Sequence, residues 1–261
     1  MTGRIRVLFV LLLTLWVAAP AHAADTLTGE QIAARILKTG IFDAEAGRFR
    51  VTMVLVSKDG IQRERDLEIL ARTKNGLVQS VVRVRNPADV AGTAFLVLDK
   101  KNGPPEQYIY LPRLDRTRRI TGRDRRQPFL SSDFTYSDLR RVEPQHATHR
   151  RLPDDKIGTD PVYVVESKPK AALRGAYSRV ETWVRKSDYL PLRTRFYDLQ
   201  GRLAKTLYAR RVQMQDGKPF VKEARMQTHE TGHATLLVIE SAERRAALPD
   251  TAFTPTALEH P

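Results

Sequence analysis

Residues 49–56 read Phe-Arg-Val-Thr-Met-Val-Leu-Val, with apolar side chains at every odd position and polar ones at 50 and 52. A period of two is typical of a β-strand that buries one face. The pattern recurs on both sides of this stretch, separated by turns such as Asp59-Gly60 and Asp216-Gly217. We therefore predict strands at residues 49–55, 61–69, 77–85, 92–99, 106–111, 161–168, 177–186, 191–199, 203–215, 219–229 and 234–241.

The length of these runs bears on the fold class. Several reach ten residues, which makes strands about 33 Å long. Long antiparallel strands joined by tight turns favour one sheet over two domains. We predict a mainly β (α+β) fold: a single strongly curved antiparallel sheet, or incomplete β-barrel, covered by helices, with residues 24–261 as a single domain. One cover is a helix at 28–40, where Thr28 and Gln31 fit a capping box and Gly40 fits a C-terminal cap. The other cover lies between residues 120 and 145.

The first 23 residues have the pattern of a secretory signal peptide. Arg4 and Arg6 precede the apolar run Val7–Val17, and Ala21-His22-Ala23 places small residues where a signal peptidase cleaves. The run is shorter than the roughly 20 apolar residues that span a bilayer. An uncleaved anchor is the alternative, but the pattern favours cleavage and a soluble periplasmic protein.

Composition narrows the function classes. The 261 residues contain 44 Lys+Arg and 30 Asp+Glu, a formal charge of +14, and no cysteine. Disulfides, thiol catalysis, zinc–thiolate sites and lipid attachment through cysteine are therefore excluded. The positive charge alone would suit nucleic acid, but export from the cytoplasm and the scatter of arginines along the strands argue against that partner.

The central stretch is the most distinctive part of the chain. It begins with seven arginines in fourteen positions, which form a candidate basic rim for anionic headgroups or a partner protein: Arg113, Arg116, Arg118, Arg119, Arg123, Arg125 and Arg126. An aromatic run follows, in which Ser132 or Asp133 is expected to cap a short helix packed on the sheet. The apolar side chains of this aromatic run, together with Tyr110, which precedes the arginines, form the candidate cover of a ligand cavity: Tyr110, Phe129, Phe134, Tyr136 and Leu139. A solvated basic hairpin followed by a core-filling aromatic turn is the alternative interpretation.

Three runs in this stretch carry a family resemblance: residues 109–112 (Ile-Tyr-Leu-Pro), 118–120 (Arg-Arg-Ile) and 129–139 (Phe-Leu-Ser-Ser-Asp-Phe-Thr-Tyr-Ser-Asp-Leu). They resemble the signature of the LolA-like outer membrane lipoprotein-sorting proteins, with Pro112, Ser132, Asp133 and Asp138 as motif residues. Ser131 stands where the family pattern has glycine. The resemblance implies a curved incomplete barrel with a concave apolar cavity, and lipid or lipoprotein traffic across the periplasm alongside RND-type exporters.

One short motif points to an enzyme instead. His229-Glu230-Thr231-Gly232-His233 matches H-E-x-x-H, which binds zinc when both histidines lie on one helical face. Alternating residues before and after it predict a hairpin, so the histidines would flank a turn, and replacing both with Gln should leave folding nearly unchanged. His146 and His149 show no recognisable ligand spacing. We expect no metal, no cofactor and no catalytic residue.

Three functions remain open at this stage. The first is a periplasmic carrier or chaperone for a lipid or lipoprotein, a monomer that touches membranes transiently and works with an inner-membrane RND-type transporter and an outer-membrane acceptor. The second is a lipid-sensing regulatory module of the same fold, and the third is a zinc metalloprotease.

Overall fold

The computed structural model describes residues 25–37, 39, 46–101, 103–139, 144–170, 175–244 and 246–259. The predicted signal peptide and Gly40 lie outside them. The described residues form helix α1 (Gly29–Ile36) and thirteen strands: β1 Ala46–Val56, β2 Gln62–Lys74, β3 Leu77–Asn86, β4 Ala94–Leu98, β5 Glu106–Leu111, β6 Arg116–Arg119, β7 Ala147–Ile157, β8 Asp160–Pro169, β9 Arg179–Arg185, β10 Pro191–Tyr197, β11 Leu203–Gln215, β12 Lys218–Thr228 and β13 Ala234–Arg244.

All of these strands belong to one antiparallel sheet, which confirms the central prediction. Their order is β6-β5-β4-β3-β2-β1-β13-β12-β11-β10-β9-β8-β7. Neighbours in this order are also neighbours along the chain, except where β1 pairs with β13. The sheet is not closed, because β6 and β7 form its two edges and do not pair with each other.

The two edge strands are the ones that the alternation did not predict. β6 is a run of exposed arginines around Thr117, with no buried face. β7 contains Pro153 and is exposed over much of its length, with a break in its pairing to β8 between Leu152 and Asp155. An edge strand has a neighbouring strand on one side only, so it tolerates proline. Because β6 and β7 are largely exposed, their residues need not alternate between apolar and polar.

Helix α1 packs against β7 and β8 at one end of the sheet. The capping box at Thr28 and Gln31 is present as predicted, although the helix ends at Ile36, earlier than expected. Ile32 is fully buried against Tyr163 and Val184. Gly29 is needed there, because a Cβ atom would lie 2.8 Å from the backbone of β7. No helix among the described residues has the length and apolarity that a bilayer span requires.

The two faces of β3–β5 are covered by different parts of the chain. On one face, Phe95 and Ile109 belong to the main core together with residues that follow β6. On the other, Leu96 packs against Phe253 and Leu258 from the C-terminal segment. Since adjacent residues of a strand point to opposite faces, the sheet is apolar on both sides here.

Candidate functional site

Residues 127–139, which we call the signature segment, cross the first of these faces without forming a regular helix. A 3₁₀ turn spans Phe129–Ser131, and Pro128 forms an isolated bridge with Thr135. The predicted short helix is wrong. Instead of capping a helix, Ser132 accepts a hydrogen bond through Oγ from the backbone N–H of Phe134, two residues on (3.2 Å).

The backbone of the 3₁₀ turn explains why a helix does not form. Leu130 has φ +50° and Ser131 has φ +59°, both in the left-handed region. This conformation costs L-residues roughly 1–2 kcal/mol but suits glycine, which the family pattern has at position 131. The turn therefore keeps its shape with serine, under local backbone strain.

The aromatic residues of the segment fill the core. Phe129 and Tyr136 are buried, and their ring centroids lie 5.4 and 5.3 Å from that of Phe95. Leu139 packs against the same cluster. Phe134 is also buried. Aromatic rings at these separations stabilise one another by about 0.5–1.5 kcal/mol beyond the area that they bury.

Tyr110 is not part of this group. It packs with the C-terminal segment on the opposite face, and its hydroxyl donates to Asp115 (3.0 Å). The structure thus brings Phe129, Tyr136 and Leu139 together but places Tyr110 behind the sheet, because it is one residue out of phase with Ile109.

A buried carboxylate, Asp133, fixes the middle of the segment to β12 and β13. Its carboxylate oxygens accept hydrogen bonds from Thr228 Oγ1 (2.5 Å), Thr235 Oγ1 (2.6 Å) and His233 Nδ1 (2.7 Å). Its backbone N–H donates to Thr235 Oγ1 (2.9 Å), and its carbonyl accepts from Lys205 Nζ (2.6 Å). Hydrogen bonds to an ionised group are the strong kind, about 1.5–3 kcal/mol each. Asp133 therefore acts as the anchor of the segment.

A second buried carboxylate, Asp138, lies near the end of the segment. It accepts hydrogen bonds from the backbone N–H of Thr135 (2.7 Å) and from the hydroxyl of Tyr177 (3.1 Å), and Lys205 Nζ lies 3.9 Å away. Burial raises the pKa of Asp138 and lowers the pKa of Lys205, because both charged forms lose hydration. Burial and the nearby Asp138 also raise the pKa of the Tyr177 hydroxyl.

The histidines of the H-E-x-x-H run lie on either side of the β12–β13 turn, as predicted, so they do not form the helical zinc site. His229 Nε2 pairs with Thr206 Oγ1 (2.8 Å), whereas His233 binds Asp133. Both histidines flank the turn, and His233 in addition holds Asp133 of the signature segment. Both ring nitrogens of His149 are engaged, with Ser167 and Pro144. The described part of the chain contains no group of three or more His, Cys, Asp or Glu side chains arranged to hold a metal.

The predicted basic rim divides into paired and unpaired arginines. Arg118 pairs with Asp124 (3.0 Å), Arg119 pairs with Glu106 (2.9 Å), and Arg125 donates to the carbonyl of Pro105 (3.1 Å). The remaining four are exposed and form no ion pair with any residue that the structure describes: Arg113, Arg116, Arg123 and Arg126. These four are the charges available to a ligand or partner.

One groove lies away from the signature segment. Its volume is about 470 Å³, and Asn75, Lys100, Lys101 and His146 contribute to its lining. None of the predicted cover or rim residues lines it.

Comparisons with known proteins agree with this architecture. A family model described as an uncharacterized protein matches residues 76–260. A DUF1329 family protein from Desulfovibrio piger is 25% identical, with a TM-score of 0.83, covering 88% of this chain and 97% of that one. The crystal structure of a domain named as an outer membrane lipoprotein-sorting protein, from Vibrio parahaemolyticus, is 28% identical, with a TM-score of 0.81, covering 89% and 98%. The chain belongs to the LolA-like family.

A third structure extends the likeness of fold. A LolA superfamily protein from Nitrosomonas europaea is 20% identical, with a TM-score of 0.71, covering 87% of this chain and 98% of that chain. None of the curated proteins matches the sequence. Asp133 anchors the signature segment, and sequence reasoning missed the partners of that anchor. Thr228, His233 and Thr235 lie about a hundred positions away, and only the H-E-x-x-H run drew attention to that turn.

Proposed function

We propose that this LolA-like protein is a periplasmic carrier or chaperone that binds a lipid, or the acyl moiety of a lipoprotein, on the apolar sheet face beneath the signature segment. The sheet would curve around the ligand as an incomplete barrel. The name of the similar Vibrio parahaemolyticus domain supports lipoprotein sorting as the process. An RND-type transporter in the inner membrane and an acceptor in the outer membrane are the proposed partners.

The observation that carries this proposal is the nature of the cover. A segment whose only helical structure is a short 3₁₀ turn, inserted between β6 and β7, closes the apolar face of β4 and β5 with two rings, Phe129 and Tyr136. Displacing those rings would expose Phe95 and Ile109 in their place. No strand pairing of the sheet would have to break for this opening.

The free energy gained by burying the two rings is similar to that gained by burying a lipid acyl chain. Burying two aromatic side chains removes roughly 300–500 Å² from water, which corresponds to about 8–12 kcal/mol. Each buried methylene contributes about 0.8 kcal/mol, so an acyl chain of roughly 10–16 carbons offsets the loss. The four exposed arginines of the rim, Arg113, Arg116, Arg123 and Arg126, would attract an anionic headgroup to the same edge of the sheet.

A reversible lock tests whether the segment must move. Asp133 and Thr235 are in direct hydrogen-bond contact, and the chain has no cysteine of its own, so Asp133→Cys with Thr235→Cys permits one engineered disulfide. The oxidised protein should not bind a fluorescent fatty acid, whereas the reduced protein, which lacks the anchor, should bind it. Each single-cysteine variant serves as the control for loss of the anchor alone. Equal binding before and after reduction would contradict the proposal.

Bound material gives a second, independent test. Protein purified from the periplasm of its own host should release acyl lipid into organic solvent, detected by mass spectrometry, in an amount comparable to the protein. Extracts that contain no acyl lipid above the level of an unrelated periplasmic protein would argue against a carrier.

A further inference from the structure

A row of aromatic and basic side chains crosses four adjacent strands. Trp183 of β9 lies opposite Arg193 of β10, Arg193 lies opposite Tyr208 of β11, and Tyr208 lies opposite Arg225 of β12. Directly opposed residues of antiparallel strands point to the same face of a sheet. Arg195, two positions beyond Arg193, extends the group along β10. We call these five side chains the outer row.

The outer row faces away from the signature segment. Lys205 and Thr228 are opposed to each other, and both reach Asp133 in the segment. Tyr208 and Arg225 are each three positions from them along regular strand, and an odd separation places side chains on opposite faces. The outer row is therefore separate from the proposed ligand site.

Three side chains of the row, Trp183, Arg193 and Arg195, are packed together. The guanidinium of Arg193 lies 4.0 Å from the centre of the Trp183 ring, and that of Arg195 lies 5.0 Å from it. Nε of Arg193 is buried and has no hydrogen-bond partner. Burial lowers the pKa of Arg193, and the charge of the adjacent Arg195 lowers it further. Two like charges thus share one aromatic ring.

The acidic groups nearby do not balance these charges. Asp155 lies 3.5 Å from Arg193 but also accepts from the indole N–H of Trp183 (2.9 Å). Glu181, opposite Arg195, pairs with Arg179 (3.5 Å) and accepts from the hydroxyl of Tyr197 (2.7 Å).

Glu223 lies two positions before Arg225 on β12, on the same face, and is paired in register with Arg211 of β11. Neither Arg195 nor Arg225 forms an ion pair with any residue that the structure describes.

We propose that the outer row is a docking site for an acidic segment of a partner protein. Trp183 is only 5% exposed and packs with Val162 and Val164, so the half-buried Arg195, Tyr208 and Arg225 are the side chains that a partner can contact. Tyrosine and arginine are among the residue types that dominate binding at protein interfaces. Arginine matches carboxylates in bidentate geometry, so unpaired guanidinium groups beside flat rings favour Asp and Glu side chains. Four strands spaced about 4.8 Å apart give a row of roughly 14 Å, the length of four or five residues of extended peptide.

Tryptophan fluorescence offers a direct assay. The chain has two tryptophans, Trp16 and Trp183, and Trp16 lies in the predicted signal peptide, so Trp183 is the reporter in residues 24–261. A six-residue peptide of alternating Asp and Glu should change its emission and bind more weakly as salt rises, since exposed charges are screened over about 8 Å at 0.15 M. The same peptide with Asn and Gln should not bind. Calorimetry on the same samples measures the affinity without relying on the indole.

Charge variants locate the site. Arg195→Glu with Arg225→Glu should weaken peptide binding about tenfold or more, and the double Gln variant should weaken it less. Arg50→Glu with Arg63→Glu is the control for net charge, since both residues lie elsewhere in the sheet and the charge changes equally. Unchanged melting temperatures exclude unfolding as the cause. Equal weakening by the control pair, no peptide binding at all, or tighter binding to anionic phosphatidylglycerol vesicles than to the peptide would overturn the proposal.

Discussion

Replacing Asp133 with Asn tests the anchor of the signature segment with almost no change in shape. The carboxylate accepts three side-chain hydrogen bonds at 2.5–2.7 Å, from Thr228, His233 and Thr235. Neutral hydrogen bonds contribute about 1 kcal/mol less than charge-assisted ones. Over three bonds, the free energy of unfolding should fall by about 3 kcal/mol. For a chain of this size that corresponds to a decrease of roughly 6–12 °C in melting temperature.

Urea unfolding followed by circular dichroism measures this loss. Asp124→Asn is the control, because Asp124 is half exposed and pairs with one surface arginine, Arg118, so its loss should cost less than about 1 kcal/mol. If Asp133→Asn unfolds within 1 kcal/mol of the wild type, with an unchanged dependence on urea, the three short bonds do not hold the segment and our account of the anchor fails.

Three further variants extend the test to the rest of the segment. Phe129→Ala should lower the free energy of unfolding by about 3–5 kcal/mol, because it leaves a cavity against Phe95, and calorimetry showing a loss below 1 kcal/mol would contradict the packing described. Ser131→Gly should raise stability by roughly 0.5–1 kcal/mol, since glycine adopts φ +59° without strain, and urea titration would refute this by showing a loss. Asp138 has a raised folded-state pKa, so its stabilising contribution is full below pH 3.8 and is lost as pH rises through the folded pKa. As pH rises above 3.8, the Asp138→Asn variant should therefore gain stability relative to the wild type. The opposite slope in urea titrations would mean that pairing with Lys205 outweighs burial.

The single sheet and its eleven inner strands could be predicted because each buries an apolar face and so alternates in sequence. The edge strands β6 and β7 could not be predicted, because they are largely exposed to solvent and their residues need not alternate. The capping box of α1 was readable because both of its partners lie within four residues.

The candidate site was only half predictable for a related reason. The motif identified Asp133, but its partners lie about a hundred positions further along the chain and lie close to it only in the folded sheet. The short helix predicted after Ser132 does not form, because Leu130 and Ser131 adopt left-handed backbone conformations. The sequence does not indicate these conformations, since neither residue is glycine.

The pairing of β1 with β13 has a consequence for how the chain folds. Every other pairing joins strands that are consecutive along the chain, so β1–β6 and β7–β13 can each form by closing short loops. Joining the two halves requires closure of a loop that runs from β1 to β13, which is entropically slow, and this seam is expected to form late. The signature segment, which follows β6 and packs on Phe95 of the first half, bonds through Asp133 to β12 and β13 of the second half and so adds a second connection across the same division. The contacts of Asp133 should be absent from the transition state, so their loss should speed unfolding while leaving the folding rate nearly unchanged.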